Sequence, residues 1–280
     1  MKNFIFKRPK TIRDAVKEYK KTQGSFYFAG GTDLICLMRD EIVKPEKIVD
    51  LKNLDELDNR ILETENGLRI GALATMSDIN NSPLIKKYLP FLADAALYHS
   101  SPGIRERATI GGNLCNASPA CDMGTPLMVL NAVIITSKGS KERQIPIQKF
   151  FKGVKKSALK PGEILKEILI PEYKEVKGIF YKKSRIKMVD LAMVNMTILK
   201  KGAEFRVSIG ACAPVPLRIK SAERILNRGG DMNDRLFKKI GKVCARNIKP
   251  IDDLRGTAEY RREIVTVMVA RLLKQLTSGE

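Results

Sequence analysis

A run of small residues closes around two adjacent glycines in Thr109-Ile110-Gly111-Gly112-Asn113-Leu114-Cys115-Asn116-Ala117-Ser118-Pro119-Ala120-Cys121-Asp122. Glycine has no Cβ, so such a pair is expected to adopt φ > 0 and let the backbone approach a ligand closely. Its N–H groups then converge into an anion-binding concavity. Thr109, Asn113, Asn116 and Ser118 add short polar side chains, and Asp122 adds a fixed acceptor. The stretch suits a phosphorylated cofactor. Taken alone, a Gly-Gly pair is as readily an ordinary turn inside a sheet.

A second stretch, Phe26-Tyr27-Phe28-Ala29-Gly30-Gly31-Thr32-Asp33-Leu34, repeats the theme. An apolar strand runs into a glycine turn, and Thr32 or Asp33 is placed to cap a short helix through Arg39. Strand, glycine turn and helix start together favour a phosphate. The spacing is neither GxGxxG nor GxxxxGK[ST], so the Rossmann and P-loop patterns are excluded. Two such turns about eighty residues apart suggest one diphosphate gripped by two loops.

The flanking sequence predicts an α+β chain. Thr11, with Asp14 three residues on, starts a helix whose Ile12, Ala15, Val16 and Tyr19 share one face, with Gly24 as its C-terminal cap. Phe26–Phe28 and Lys47–Leu51 read as strands, making 1–52 a small α/β lobe. Strands at Leu68–Ala72, Ala132–Thr136, Arg143–Ile147 and Ile168–Ile170, with helices from Thr75 and from Leu84 to Leu97 broken at Pro90, make 53–172 a second, mixed lobe. The glycine stretch itself is expected to be a loop. Beyond the boundary near Pro171, Gly178–Lys183, Leu191–Leu199 and Phe205–Ala211 alternate as antiparallel strands. A helix starts at Ser221, and Arg261–Leu276 forms a long amphipathic one.

At 280 residues the chain has room for about two domains. It carries no run of eighteen apolar residues, and its N-terminus lacks the apolar segment of a signal peptide, so a cytoplasmic location without membrane insertion is expected. Five cysteines without short paired spacings do not form a disulfide framework. The formal charge of +20 is uneven: residues 71–137 are neutral, whereas 138–187 carry +10 and 215–280 carry +7. Such an excess raises the alternative of a nucleic-acid-binding module. The lysines are scattered among aliphatic residues with no aromatic stacking platform, which fits a solvated surface or docking onto acidic subunits better.

Ala29-Gly30-Gly31-Thr32-Asp33 and Thr109-Ile110-Gly111-Gly112-Asn113 resemble the two FAD-binding loops of the medium, FAD-carrying subunits of molybdenum hydroxylases, of the xanthine, carbon monoxide and nicotinate dehydrogenase types. Gly210-Ala211-Cys212-Ala213-Pro214-Val215-Pro216-Leu217-Arg218 and Asp252-Asp253-Leu254-Arg255-Gly256-Thr257-Ala258-Glu259-Tyr260-Arg261-Arg262 are similar to motifs of that family's C-terminal domain. The resemblance spans nearly the whole chain. It implies a two-lobed FAD-binding domain of the PCMH type over 1–172 (lobes 1–52 and 53–172), and an antiparallel sheet with helices over 173–280. It implies noncovalent FAD held by Ala29, Gly30, Gly31, Thr32, Asp33, Leu34, Thr109, Ile110, Gly111, Gly112 and Asn113. Asp122 is carried over near the ribityl or flavin end, with Leu165 and Lys182 as further contacts, Lys182 as a cation beside the flavin.

The same resemblance implies an electron-transfer role: electrons arrive from [2Fe–2S] clusters on a small iron–sulfur subunit, whose donor is a large molybdopterin subunit, and leave to NAD⁺ or another acceptor. The chain has ligand spacings for neither centre; Cys115 and Cys121 match no zinc or iron–sulfur run and are expected to pack near the flavin. A stand-alone FAD-dependent NAD(P)H reductase is the other flavin reading. The single histidine, His99, precedes a Pro-Gly turn and reads as structural. On this view Gly111→Val should leave a folded but poorly coloured protein, because the side chain takes the diphosphate's space; circular dichroism and flavin content test it.

Overall fold

The computed structural model describes residues 2–186 and 189–278; Met1, Lys187, Met188, Gly279 and Glu280 lie outside it. Three sheets carry the architecture. The first is parallel, with Lys47–Asp50 between Ile5–Lys7 and Ser25–Phe28. Thr11 caps the helix Ile12–Lys20 through its side chain to the Asp14 N–H, as the sequence predicts, and Ile12, Ala15 and Val16 are buried. Tyr19 of that helix stacks on Tyr27 at 4.5 Å. Gly24 does not cap the helix, which ends at Lys20. Its φ of +78° instead serves the turn into the strand.

The second sheet has five antiparallel strands in the order Ile61–Thr64, Gly67–Gly71, Ile164–Ile170, Val133–Lys138, Lys141–Pro146. Its first strand is exposed along most of its length and shows no alternation in sequence. Helices Met76–Asn81, Pro83–Tyr88 and Pro90–Leu97 cover it. Thr75 and Asp78 form a reciprocal capping box. Pro83 and Pro90 each sit at the start of a helix, where the missing N–H costs nothing.

The third sheet is antiparallel: Val176–Lys183, Val194–Lys201, Glu204–Gly210 and Leu217–Arg218. Helices Lys220–Leu226, Asp234–Asn247 and Ala258–Thr277 pack against it around a separate apolar core. The 14-residue helix Asp234–Asn247 is absent from the sequence expectations above. Asn233 caps it, and Phe237, Ile240, Gly241, Cys244 and Ala245 form its buried face, so a 3–4 spacing was there to be read. Gly241 lets it press on the Thr266 carbonyl of the last helix, leaving no room for a Cβ.

This sheet lies against the second lobe. Gly178 faces the Phe91 ring, which an added Cβ would meet at 2.6 Å. Arg206 donates to the Val129 carbonyl (3.1 Å) and Arg218 to the Met128 carbonyl (2.8 Å), so two guanidinium groups hold the end of helix Gly124–Val129. Cations there also complement the helix dipole. This is the physical role of Arg218 in the Gly210–Arg218 motif. Among the described residues no helix is long and apolar enough to cross a membrane.

The Asp252–Arg262 motif has a structural explanation in Arg261, whose side chain is 2 % exposed. It donates to the Met193 and Ala211 carbonyls, both at 3.0 Å, and to Asp253 at 2.6 Å. Asp253 also pairs with Arg255, and these bonds hold its carboxyl well below the usual carboxylate range. The pinned loop leaves Leu254 96 % exposed. Truncating Arg261 strands two carbonyls, so Arg261→Ala should cost about 3 kcal/mol of stability. Denaturant unfolding measures it; a loss within error of zero would show that the network is decorative.

Candidate cofactor cleft

A cleft of about 650 Å³ opens between the first and second lobes. Ala29, Gly30, Gly31, Thr32, Asp33 and Leu34 line one side, and Thr109, Gly111, Gly112, Asn113, Cys115 and Asn116 the other; Leu165 and Glu163 also line it. Apolar side chains of the first lobe, Phe26, Leu37, Ile42, Val43 and Leu51, together with Leu57, fill much of the remaining wall.

The first loop follows directly from strand Ser25–Phe28. Gly31 has φ +76°, and a Cβ there would run into the Phe28 ring; a Cβ on Gly30 would run into the Arg107 carbonyl, where the two lobes touch. Both glycines are therefore required. Asp33 stands at the N-cap of helix Leu34–Arg39 but makes no side-chain cap bond. Its Oδ1 accepts instead from Asn116 Nδ2 at 2.9 Å, and Lys155 Nζ donates to Asn116 Oδ1 at 2.7 Å. The backbone N–H groups of Gly30, Gly31, Thr32 and Asp33 make no hydrogen bond within the described chain.

The second glycine pair behaves differently. Where the sequence suggests a loop with φ > 0, Ile110–Asn116 is a helix, and neither Gly111 nor Gly112 has positive φ. Thr109 caps it by accepting from the Gly112 N–H at 3.1 Å. The Ile110 N–H donates to the Ala74 carbonyl (2.8 Å), the Gly111 N–H to the Ala72 carbonyl (3.0 Å) and the Asn113 N–H to the Thr109 carbonyl (2.9 Å). All four first-turn amides are thus used inside the protein, whereas those of Gly30 to Asp33 are not. Gly111 is needed for packing: its Cβ would sit 2.8 Å from the Ala72 carbonyl. Ile110 is fully buried and belongs to the core rather than to the cleft wall.

Asp122 and Lys182 come together, but behind the cleft. Lys182 Nζ lies 2.9 Å from Asp122 Oδ2, and both side chains are buried. Lys182 also donates to the Tyr98 carbonyl at 2.9 Å, and Asn195 Nδ2 approaches Asp122 Oδ1 at 3.4 Å. Neither charge lines the cleft. His99 does: its Nδ1 is 3.1 Å from Asp122 Oδ2. The structural reading of this histidine is therefore incomplete, since it joins a buried ion pair to the cavity. Asn116, one of the short polar side chains noted in the sequence, also lines the wall, and Lys155 and Glu163 are wall residues that the sequence did not single out.

Burial disfavours the thiolate form of Cys115 and Cys121. Burial pushes Cys115 up to about 12, and burial beside Asp122 raises Cys121, which donates to Asn113 Oδ1 at 2.9 Å. Glu163 is opposed by burial, yet Arg143 (2.6 Å), the Lys160 N–H (2.7 Å) and the Thr136 hydroxyl (2.5 Å) bring its carboxyl down to about 2.

The architecture is that of a flavoprotein. Residues 2–173 match the FAD binding domain in molybdopterin dehydrogenase, and residues 179–276 match the CO dehydrogenase flavoprotein C-terminal domain. The chain belongs to this family, the FAD-binding subunits of molybdenum hydroxylases, and is an oxidoreductase component. It is 32 % identical over 278 residues to the glyceraldehyde dehydrogenase medium chain of Sulfolobus acidocaldarius, covering 98 % of each chain. It is 33 % identical over 297 residues to the nicotinate dehydrogenase FAD-subunit of Eubacterium barkeri, covering 100 % of this chain and 99 % of that one. A chain of the carbon monoxide dehydrogenase of Hydrogenophaga pseudoflava superposes with a TM-score of 0.92 at 27 % identity, covering 99 % of this chain and 98 % of that one.

Two outcomes follow from the cleft. Gly111→Val should lower stability together with flavin content, because the side chain strikes the Ala72 carbonyl before it reaches the cleft; a variant as stable as the parent would contradict that packing. Glu163 has a folded-state carboxyl below its ordinary 4.5. Its contribution is fully present above that value and is lost as pH falls toward about 2. Glu163→Gln should therefore flatten the acid limb of stability against pH, measured by urea unfolding at stepped pH; an unchanged limb would remove Glu163 from that role.

Proposed function

We propose that the chain holds FAD noncovalently in the cleft and is the electron-exit module of a heteromeric molybdenum hydroxylase. It would take electrons from [2Fe–2S] clusters on a small partner subunit, fed by a large molybdopterin subunit, and pass them to NAD⁺ or another acceptor. Residues 1–172 would carry the cofactor and 173–280 would form the C-terminal domain of the molybdenum-hydroxylase flavoprotein type. The observation that carries the reading is the set of unpaired amides on Gly30, Gly31, Thr32 and Asp33 at a largely apolar cleft. Converging N–H groups with no internal acceptor suit a diphosphate, and the apolar walls suit flat rings. Bound flavin supplies the redox chemistry; the protein binds, orients and tunes it. Leu165 and the Thr109–Asn113 turn would close the far wall around it.

Partner docking finds support in helix Asp234–Asn247. Arg235, Lys238, Lys239, Lys242 and Arg246, continued by Lys249, are all exposed, and among the described residues the only ion pair of this segment runs from Asp234 to Lys274. Spacings of three and four align them on one face. Such a stripe steers an acidic surface at long range.

The purified chain should show the visible bands of oxidised flavin; a colourless protein that binds nucleic acid would sink the proposal. Exposed charges are screened beyond about 8 Å at physiological ionic strength. Association with the partner subunits should therefore slow as salt rises. Lys239→Glu with Lys242→Glu should slow it further and flatten the salt slope. A rate indifferent to both would return the stripe to plain solvation, and full activity from the single chain would favour a stand-alone reductase.

A further inference from the structure

We propose that His99 contacts the bound FAD directly, accepting a hydrogen bond at Nε2 from a hydroxyl or imide N–H of the cofactor, while Asp122 fixes its tautomer. The inference rests on FAD occupying the cleft. Its basis is the way three polar side chains are stacked behind and within that wall. Lys182 is deepest, with its ammonium shared between the Tyr98 carbonyl and Asp122 Oδ2. Asp122 comes next, buried, and accepts from both Lys182 and His99 on the same oxygen. His99 is outermost and is the one member of the three that lines the cleft.

The order fixes the chemistry. Asp122, paired with an ammonium, has acceptor capacity only. His99 Nδ1 must then carry the proton of the bond between them, so that in the neutral form of the ring Nε2 is the acceptor. Nδ1 is held inward on Asp122, so the opposite edge of the ring, with Nε2, faces the cleft. Nε2 has no hydrogen-bond partner among the described residues. A carboxylate that fixes the tautomer and orientation of an imidazole is an arrangement by which proteins aim a histidine at a ligand. FAD offers matching donors in its ribityl and ribose hydroxyls and in the flavin imide. The buried pair then reaches the cofactor through the imidazole, and direct contact by Asp122 or Lys182 is not needed.

The experiment uses the full-length chain, stripped of flavin and titrated with FAD, as the parent, His99→Leu and His99→Gln. Loss of one hydrogen bond of about 1.4 kcal/mol corresponds to about tenfold in affinity. His99→Leu should bind FAD about tenfold more weakly and shift its visible bands, and His99→Gln, which keeps an acceptor, should recover part of both. If the leucine variant does not fold, the glutamine variant still decides, through a shifted spectrum and weakened binding. Parent-like affinity and an unchanged spectrum in every variant that folds would overturn the assignment. A parent protein that binds no FAD would overturn the reading of the cleft itself, so the two failures are separable.

Discussion

The buried pair of Lys182 and Asp122 is the interaction on which the arrangement around the cleft depends. Two charges removed from water gain nothing unless each is fully bonded, and removing one leaves the other uncompensated at a cost of several kcal/mol. Here each partner comes from a different unit: Lys182 from the first strand of the C-terminal sheet, Asp122 from the turn after the helix Ile110–Asn116. The requirement to bond both charges therefore brings the Tyr98 carbonyl, His99 and Asn195 into one place. It sets how the C-terminal sheet sits on the second lobe, together with Arg206 and Arg218 at the end of helix Gly124–Val129.

The two glycine pairs show how one sequence motif can satisfy different demands. Gly30 and Gly31 are needed because the backbone turns through φ > 0 and passes against the other lobe. Gly111 and Gly112 are needed because a helix starts almost on top of Ala72 and Thr109. In the first case the amides stay open. In the second they are consumed by Ala72, Ala74 and Thr109. Unbonded amides thus lie on the Gly30–Asp33 loop and not in the first turn of helix Ile110–Asn116.

Much of the fold was legible because local rules and tertiary packing agree. The Thr11 cap, the helix start at Thr75, the break at Pro90 and the alternating strands after Pro171 all stand where the sequence puts them. The first-loop residues also line the cleft. What escaped was decided by distant contacts or by residues whose propensities conflict. Two glycines argue against a helix at Ile110, and only the fit against Ala72 and the Thr109 cap overrides them. Strand Ile61–Thr64 has one solvated face and one weakly covered one, so no period-two signal exists. Helix Asp234–Asn247 was legible in principle, but its charged face masks the apolar spacing. The roles of Arg261 and His99 depend on partners 68 and 23 residues away, which no local pattern encodes.

Leu254 has a consequence of its own. A leucine almost wholly in water is ordinarily a mobile side chain on a mobile loop, and covering it would first require the loop to be ordered. In this chain Asp253, Arg255 and the buried Arg261 have already ordered it. The entropy of fixing that segment has been spent during folding, so any surface that closes over Leu254 collects the full gain of apolar burial with little further ordering. The loop is stiff before it is covered, and contact with it is a matter of shape more than of adaptation.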